Sequence, residues 1–151
     1  MTGSLIVTTI NSEGGAFLDS NIWLYAISKE SKNLDNERKR TTAISLTQNE
    51  NIVMSFQVIN EVCANAIRKL AFSEEQIRIL ITSFFTSCFV IEQNRNLLTE
   101  ASQLLTQYRF AFWDSLIVAS ALQANVTILY SEDMQDGLRI NNQLEIVNPF
   151  K

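Results

Sequence analysis

The stretch AFLDSNIWLYAIS, residues 16–28, predicts how the fold begins. Its first three residues, 16–18, form a short apolar run that is typical of a buried strand. Asp19 and Ser20, which come next, are residue types that start helices, and a helix is expected to continue to about Ser28. A short strand that passes directly into a helix is the repeating unit of an α/β domain.

The rest of the chain continues this alternation. Further strands are predicted at 52–54, 88–91, 127–130 and 144–147, and helices at 36–48, 56–70, 73–86, 97–108 and 115–124. Short, continuous apolar runs suit strands that helices cover on both faces, as in a parallel sheet. We therefore predict one three-layer α/β/α domain over residues 16–151. Residues 1–15 are rich in turn-forming residues and are interpreted as an N-terminal arm of uncertain structure.

The composition excludes several classes of enzyme. The chain has 151 residues, 46% of them apolar, which is typical of one globular domain. It contains no histidine, so Ser-His and Cys-His hydrolases, histidine general bases and imidazole-ligated metal sites are excluded. The net charge of −4 argues against a protein that coats nucleic acid with basic surface. Catalysis would have to use carboxylates, hydroxyls, lysine, tyrosine or cysteine.

The two cysteines and the apolar runs indicate the compartment. Cys63 and Cys88 each lie in an apolar stretch, where free thiols that act as small hydrophobic side chains are expected. The first basic residue is Lys29, which argues against a signal peptide, and no apolar run approaches the ~18 residues that a membrane span needs. We expect a cytoplasmic protein that does not cross a membrane.

Four of the sixteen acidic residues occupy unusual places. Asp19 follows the first predicted strand, and Asp133 follows the fourth. Asp114 opens a nearly all-apolar helix, and Glu61 lies in mid-helix, away from the apolar stripe. The carboxyl ends of parallel strands and the starts of the following helices line one crevice, which is where ligands bind. The four carboxylates are therefore expected on one rim of the sheet.

Each acid also has an ordinary structural explanation. Asp19 and Asp114 could be helix N-caps, Asp133 could form a turn, and Glu61 could be a solvated surface residue. Several carboxylates on one rim, however, repel one another unless a cation is bound. Hard divalent ions such as Mg²⁺ prefer oxygen ligands, and an acid-only site suits metal-assisted phosphodiester hydrolysis.

Four motifs in this order resemble the PIN-domain family, and most of all the ribonuclease toxins of bacterial VapBC toxin–antitoxin pairs. They are AFLDSN at 16–21, NE at 60–61, FWDSLI at 112–117 and SED at 131–133. The most specific single match is LYSEDMQDG at 129–137, and the resemblance extends over residues 16–150. It implies a five-stranded parallel sheet with helices on both faces. The arm, 1–15, departs from the family pattern, in which the first strand starts near the N-terminus.

The resemblance also implies a quartet of acids that bind Mg²⁺ or Mn²⁺. Carried over residue by residue, the catalytic and metal-binding acids are Asp19, Glu61, Asp114 and Asp133. Asn21 and Ser131 match positions that support the site through hydrogen bonds. Asp136 is a candidate for a further carboxylate, and Glu132 is expected to face solvent.

The function that the resemblance implies is metal-dependent endoribonuclease activity with 5′-phosphate and 3′-hydroxyl products. The expected partners are an RNA substrate, a small antitoxin whose tail blocks the site and a second copy of the chain. Three alternatives stay open: an inactive PIN scaffold that binds RNA or protein, a DNA-directed PIN nuclease, and a receiver-like phospho-acceptor domain. The last needs a lysine after a late strand, and residues 127–137 contain none.

Other signals have simpler explanations. Trp23 and Trp113 could stack on bases, but apolar neighbours favour the core for both. Phe84 and Phe85 are interpreted as core or as a subunit interface. The charged run at 37–40 is interpreted as a solvated helix face rather than as a grip on RNA phosphates.

Overall fold

The computed structural model describes residues 14–151, which contain six strands and six helices. The strands are β1 (Ala16–Leu18), β2 (Ile52–Ser55), β3 (Phe89–Ile91), β4 (Ile128–Tyr130), β5 (Arg139–Ile140) and β6 (Leu144–Val147). The helices are α1 (Ser20–Ile27), α2 (Leu34–Thr47), α3 (Phe56–Leu70), α4 (Glu74–Ser87), α5 (Arg95–Tyr108) and α6 (Phe112–Gln123). The predicted arm lies outside the described residues except for its last two glycines.

The strands form one sheet in the order β3-β2-β1-β4-β6-β5. Along the chain, the strands proceed from β1 to β3 toward one edge, and β4 then begins a second series on the other side of β1. Because crossovers between parallel strands are right-handed, α1–α4 lie on one face and α5 and α6 on the other. The helix contacts agree: α1 packs on α2 and α3, α3 packs on α4, and α5 packs on α6. The winding therefore reverses between β1 and β4.

The predicted fold class is confirmed, with one addition to the sheet. Five strands are parallel, as expected, but β5 is a sixth strand that pairs antiparallel with β6 through Arg139↔Glu145 and Ile140↔Leu144. Two residues are too few to form a periodic pattern, so no strand could be predicted there. The strand lies at the edge of the sheet and far from the reversal point.

Helix caps account for most of the element boundaries. Ser55 caps α3 by accepting a hydrogen bond from the backbone N–H of Val58, and Ser73 and Gln76 form a capping box at the start of α4. The start of α6 differs from the prediction. Its N-cap is Ala111, which forms no side-chain cap bond, so Asp114 lies in the first turn and is not an N-cap.

Gly15 fixes the start of β1 by a close backbone approach. A Cβ atom built on this residue would lie 2.0 Å from the carbonyl oxygen of Asn51, which is too close for any side chain. The next residue, Ala16, donates its backbone N–H to the same oxygen and is in register with Ile52 of β2. The absence of a side chain at Gly15 therefore lets the two strands begin together.

Both cysteine predictions are confirmed. Cys63 and Cys88 are free, and burial raises the pKa of both thiols, that of Cys88 to about 12. Trp23 is buried in the core, as expected, with its ring edge against Phe84. In residues 14–151 we find no helix with the length and hydropathy of a transmembrane segment.

Candidate active site

Asp19 lies where the winding of the sheet reverses. It directly follows β1, and its backbone N–H donates to the carbonyl oxygen of Tyr130 at the end of β4, at 3.0 Å. Ser131, the next residue after β4, donates from Oγ to Oδ2 of Asp19 at 2.9 Å. Two neighbouring strand ends therefore join at this carboxylate, which is where an open parallel sheet binds ligands.

Asp19 is also the N-cap of α1. Its Oδ1 accepts a hydrogen bond of 2.7 Å from the backbone N–H of Ser20, and the residue is only 7% exposed. Capping explains this hydrogen bond but not the burial of the charge or the bond from Ser131. The structural and the functional explanations of Asp19 are therefore compatible.

Glu61 reaches the same place from α3. Its Oε2 accepts from Oγ of Ser20 at 2.9 Å, and its Oε1 accepts from Nε2 of Gln57 at 2.9 Å. Gln57 is buried and lies one helical turn before Glu61, and its Nε2 also donates to the carbonyl oxygen of Trp113 at 3.2 Å. Glu61 is thus held by polar partners on two elements and is not a freely solvated side chain.

Asn21 and Asp133 form a second linked pair. Nδ2 of Asn21, on α1, donates to Oδ2 of Asp133, which follows β4 and is exposed. Asp114 lies half-buried in the first turn of α6 and forms no side-chain hydrogen bond with the residues that the structure describes. Of the four acids, Asp114 is therefore the one whose carboxylate accepts no hydrogen bond from the described residues.

The carboxylates influence one another electrostatically. Burial raises the pKa of Asp19 to about 6, and the charges of Glu61 and Asp114 add to this effect against the hydrogen bonds from Ser20 and Ser131. Burial also raises the pKa of Asp114, and the charges of Asp133 and Glu61 raise it further. The structure therefore brings each of the four predicted acids within range of the charge of at least one other, with Asp133 acting on Asp114.

The donor set fits a hard divalent cation, because it consists of carboxylate oxygens only. The side chains are not yet arranged around one point: among residues 14–151, no group of three or more acidic or cysteine side chains is positioned to hold a metal ion. Glu61 and Asp133 are turned toward Ser20 and Asn21. Binding an ion would therefore require rotation of these side chains.

Two neighbouring acids lie outside this group. Asp136 accepts from the backbone N–H of Asn148 at 2.7 Å and lies 3.8 Å from Nζ of Lys151. The expectation that Glu132 faces solvent is wrong. Its Oε2 lies 2.6 Å from Nζ of Lys39, and its Oε1 accepts from the hydroxyl of Tyr25 at 2.9 Å. These contacts attach the segment after β4 to α1 and α2.

The charged run at 37–40 is also more constrained than a solvated face. Arg38 donates to the carbonyl oxygen of Phe150, and Arg40 donates to that of Ser28, both at 2.9 Å. Together with Lys39, these cations bind parts of the protein itself. Lys39 and Arg40 are partly buried by these contacts, whereas Arg38 remains exposed.

A cleft lies beside the carboxylates. It has a volume of about 770 Å³ and contains Asn21, Tyr25, Lys29 and Lys69 among its lining residues, but none of the four acids. Asn21 therefore connects the two regions, because it lines the cleft and donates to Asp133.

Sequence reasoning missed two polar residues and misjudged one aromatic residue. Ser20 and Gln57 hold Glu61, and the i, i+4 spacing of Gln57 and Glu61 was the available signal for the second. Trp113 is not in the core, since it is 64% exposed. The first turn of α6 lies at the rim, where no other described element covers this side chain.

Comparison with known proteins gives a family and a fold. The sequence model of the PIN domain matches residues 16–136. No curated protein matches the chain.

Three similar solved structures are related to toxin–antitoxin systems. A toxin–antitoxin complex from Klebsiella pneumoniae has a TM-score of 0.66 at 18% identity, covering 89% of this chain and 97% of that chain. VapC20 from Mycobacterium tuberculosis, a Sarcin-Ricin loop cleaving toxin, has a TM-score of 0.62 at 16% identity, covering 78% and 89%. VapBC2 from Rickettsia felis, bound to a DNA fragment from its promoter, has a TM-score of 0.60 at 21% identity, covering 89% and 99%. At these identities the similarity is one of fold.

The raised pKa of Asp19 predicts an unusual pH dependence in metal-free protein. The folded state keeps this proton up to about pH 6, whereas the unfolded chain releases it near pH 3.8, so the contribution of Asp19 to stability falls as the pH rises between these values. Asp19→Asn keeps an N-cap but cannot ionise. Relative to wild type, its free energy of unfolding should therefore increase between pH 4 and pH 7, by up to about 3 kcal/mol. Urea denaturation in EDTA measures this.

Asp136→Asn is the matched control, because that carboxylate lies outside the group and binds Asn148. It should show no such gain with rising pH. A constant difference between Asp19→Asn and wild type across this range would contradict the electrostatic description of the site.

Proposed function

The chain belongs to the PIN-domain family, and from this premise we propose that it is a metal-dependent endoribonuclease and the toxin of a toxin–antitoxin pair, acting in the cytoplasm. One observation carries the proposal. Four carboxylates from four different parts of the fold lie around the point where the sheet reverses, and the charge of each acts on at least one of the others. Repulsion among these carboxylates opposes folding unless a bound cation offsets it, which is a cost that function explains.

The proposed ion is Mg²⁺ or Mn²⁺, held by Asp19, Glu61, Asp114 and Asp133. When bound, it would supply charge stabilisation to a phosphodiester and activate water for hydrolysis. Asp19 would be the fixed ligand, because it is buried and held by Ser131 and the N-terminus of α1.

The other residues have distinct proposed roles. Asp114 has no protein donor among the described residues and is free to turn toward a cation. Ser20 and Gln57 position Glu61, and Asn21 positions Asp133. Without histidine, the residues that could accept or orient a proton here are these carboxylates.

RNA is the proposed substrate and a small antitoxin the proposed partner. Support comes from the resemblance of the motifs to VapC toxins and from similar folds in toxin–antitoxin complexes. A tail of the antitoxin would block the site. We also propose a homodimer; Phe56 and Phe85, whose rings lie 5.7 Å apart, are both exposed apolar side chains that a second copy would cover.

The activity prediction is direct. Purified protein should cleave RNA with Mn²⁺ or Mg²⁺, and EDTA should stop the reaction. Asp114→Asn should lower the rate by at least ~100-fold, because charge stabilisation and metal placement each contribute several kcal/mol. Asp136→Asn should retain activity, since its carboxylate binds elsewhere.

Other outcomes would identify the alternatives. Cleavage that persists in EDTA or in Asp114→Asn would overturn the site assignment. Equal cleavage of a DNA strand of the same sequence would favour the DNA-directed alternative. A folded wild type that cuts neither nucleic acid would favour the inactive scaffold.

The toxin proposal has a separate cellular test. Expression of the wild-type chain alone in a bacterial host should arrest growth, and co-expression of the small protein encoded beside it should restore growth. Asp114→Asn is the control and should not arrest growth, because the fold is kept while the proposed site is impaired. Equal growth with the wild type and this variant would contradict the toxin role, while leaving nuclease activity open.

A further inference from the structure

Two adjacent aromatic side chains are exposed directly before Asp114 in the sequence. Trp113 immediately precedes Asp114 and is 64% exposed, and Phe112 is 45% exposed. Their ring centroids lie 5.6 Å apart at an interplanar angle of 71°, an edge-to-face contact that limits the orientations of the indole. An exposed tryptophan next to a proposed metal ligand requires an explanation, since large apolar side chains are normally buried. The other tryptophan of the chain, Trp23, is buried in the core.

The backbone of Trp113 is tied directly to the site. Its carbonyl oxygen accepts from Nε2 of Gln57 at 3.2 Å, and the same Nε2 donates to Oε1 of Glu61 at 2.9 Å. One buried amide therefore fixes Trp113 relative to a proposed metal ligand. Besides these hydrogen bonds, the peptide bond to Asp114, the next residue, links Trp113 covalently to a second proposed ligand.

Lys29 and Lys69 line the neighbouring cleft, but an acidic protein gains from an additional RNA contact that does not depend on charge. The net charge is −4, and the site itself concentrates carboxylates. Arg38, Lys39 and Arg40 bind groups of the protein. Stacking of a base on an aromatic ring does not depend on charge and tolerates any base.

We propose that Trp113 stacks on a nucleobase of the RNA next to the phosphodiester that the carboxylates receive, with Phe112 holding the indole in place. The inference rests on the proposed function and adds to it a substrate-binding residue. Trp113 contributes binding and orientation of the strand, whereas the carboxylates act on the phosphodiester. Stacking on one face also favours single-stranded RNA, whose bases are free to leave their neighbours.

Tryptophan fluorescence tests the contact without requiring cleavage. In EDTA, a single-stranded RNA oligonucleotide should quench the emission of wild-type protein and protect it from acrylamide, because Trp113 is the exposed member of the two tryptophans. An oligonucleotide of equal length and charge with abasic sites in place of its bases should not. Trp23→Phe, which leaves Trp113 as the only tryptophan, should show the same quenching.

Kinetics then distinguish binding from structure. With Mn²⁺, Trp113→Ala should raise KM about 10-fold, the scale of one lost stacking contact, and change kcat by less than about threefold. Trp113→Phe should recover most of the loss. Leu98→Ala is the control, since Leu98 is an exposed apolar residue on α5, and it should leave KM unchanged. Thermal unfolding confirms that the variants are folded.

The outcomes separate this inference from the proposed function. RNA cleavage with an unchanged KM in Trp113→Ala would overturn the stacking role and leave the nuclease intact. Quenching by RNA but not by the abasic strand, without any cleavage, would support stacking and contradict the nuclease. A wild-type dimer that Trp113→Ala converts to monomer in sedimentation would make this surface a protein contact and overturn the inference.

Discussion

The rest of the site depends on one buried carboxylate, Asp19, at the point where the sheet reverses its winding. A buried charge needs hydrogen bonds, and here they come from the helix that Asp19 starts and from Ser131 at the end of the neighbouring strand. The first donor is the next residue of the chain, whereas Ser131 reaches Asp19 only because β1 and β4 are adjacent and parallel. The fold thus places the charge, and the polar partners at the strand ends make its burial tolerable.

Around this residue, the polar side chains form a graded arrangement. Asp19 is held on both oxygens, Glu61 is held by Ser20 and Gln57, and Asp114 has no donor among the described residues. The carboxylates thus range from one that is held on both oxygens to one that no described residue holds. A site of this kind combines one rigid ligand position with others that adjust to an ion, at a cost in stability from mutual repulsion when no ion is bound.

The sequence predicted those features that depend on local pattern. The bounds of α3 were predicted correctly because Ser55 caps an amphipathic run, and the predicted strand at 144–147 coincides with β6. Asp114 was misjudged as a possible cap, since Ala111 begins α6 without any side-chain signal. Ser20 lies 41 residues from Glu61 and Tyr25 lies 107 residues from Glu132, and no local pattern predicts such contacts. The exposure of Trp113 likewise depends on which distant elements cover the first turn of α6, and the local sequence does not show this.

The central claim is that these acids bind a divalent cation, and a thermal scan with Mn²⁺ tests it most directly. A ligand that binds only the folded state stabilises it by mass action, so Mn²⁺ at about 100 times its Kd should raise the Tm of wild type by roughly 5–10 °C. Asp114→Asn should have a higher Tm than wild type in EDTA, because one repelling charge is gone, and a smaller response to Mn²⁺. A wild type whose Tm is indifferent to Mn²⁺, or an Asp114→Asn variant that responds as fully as wild type, would contradict the account.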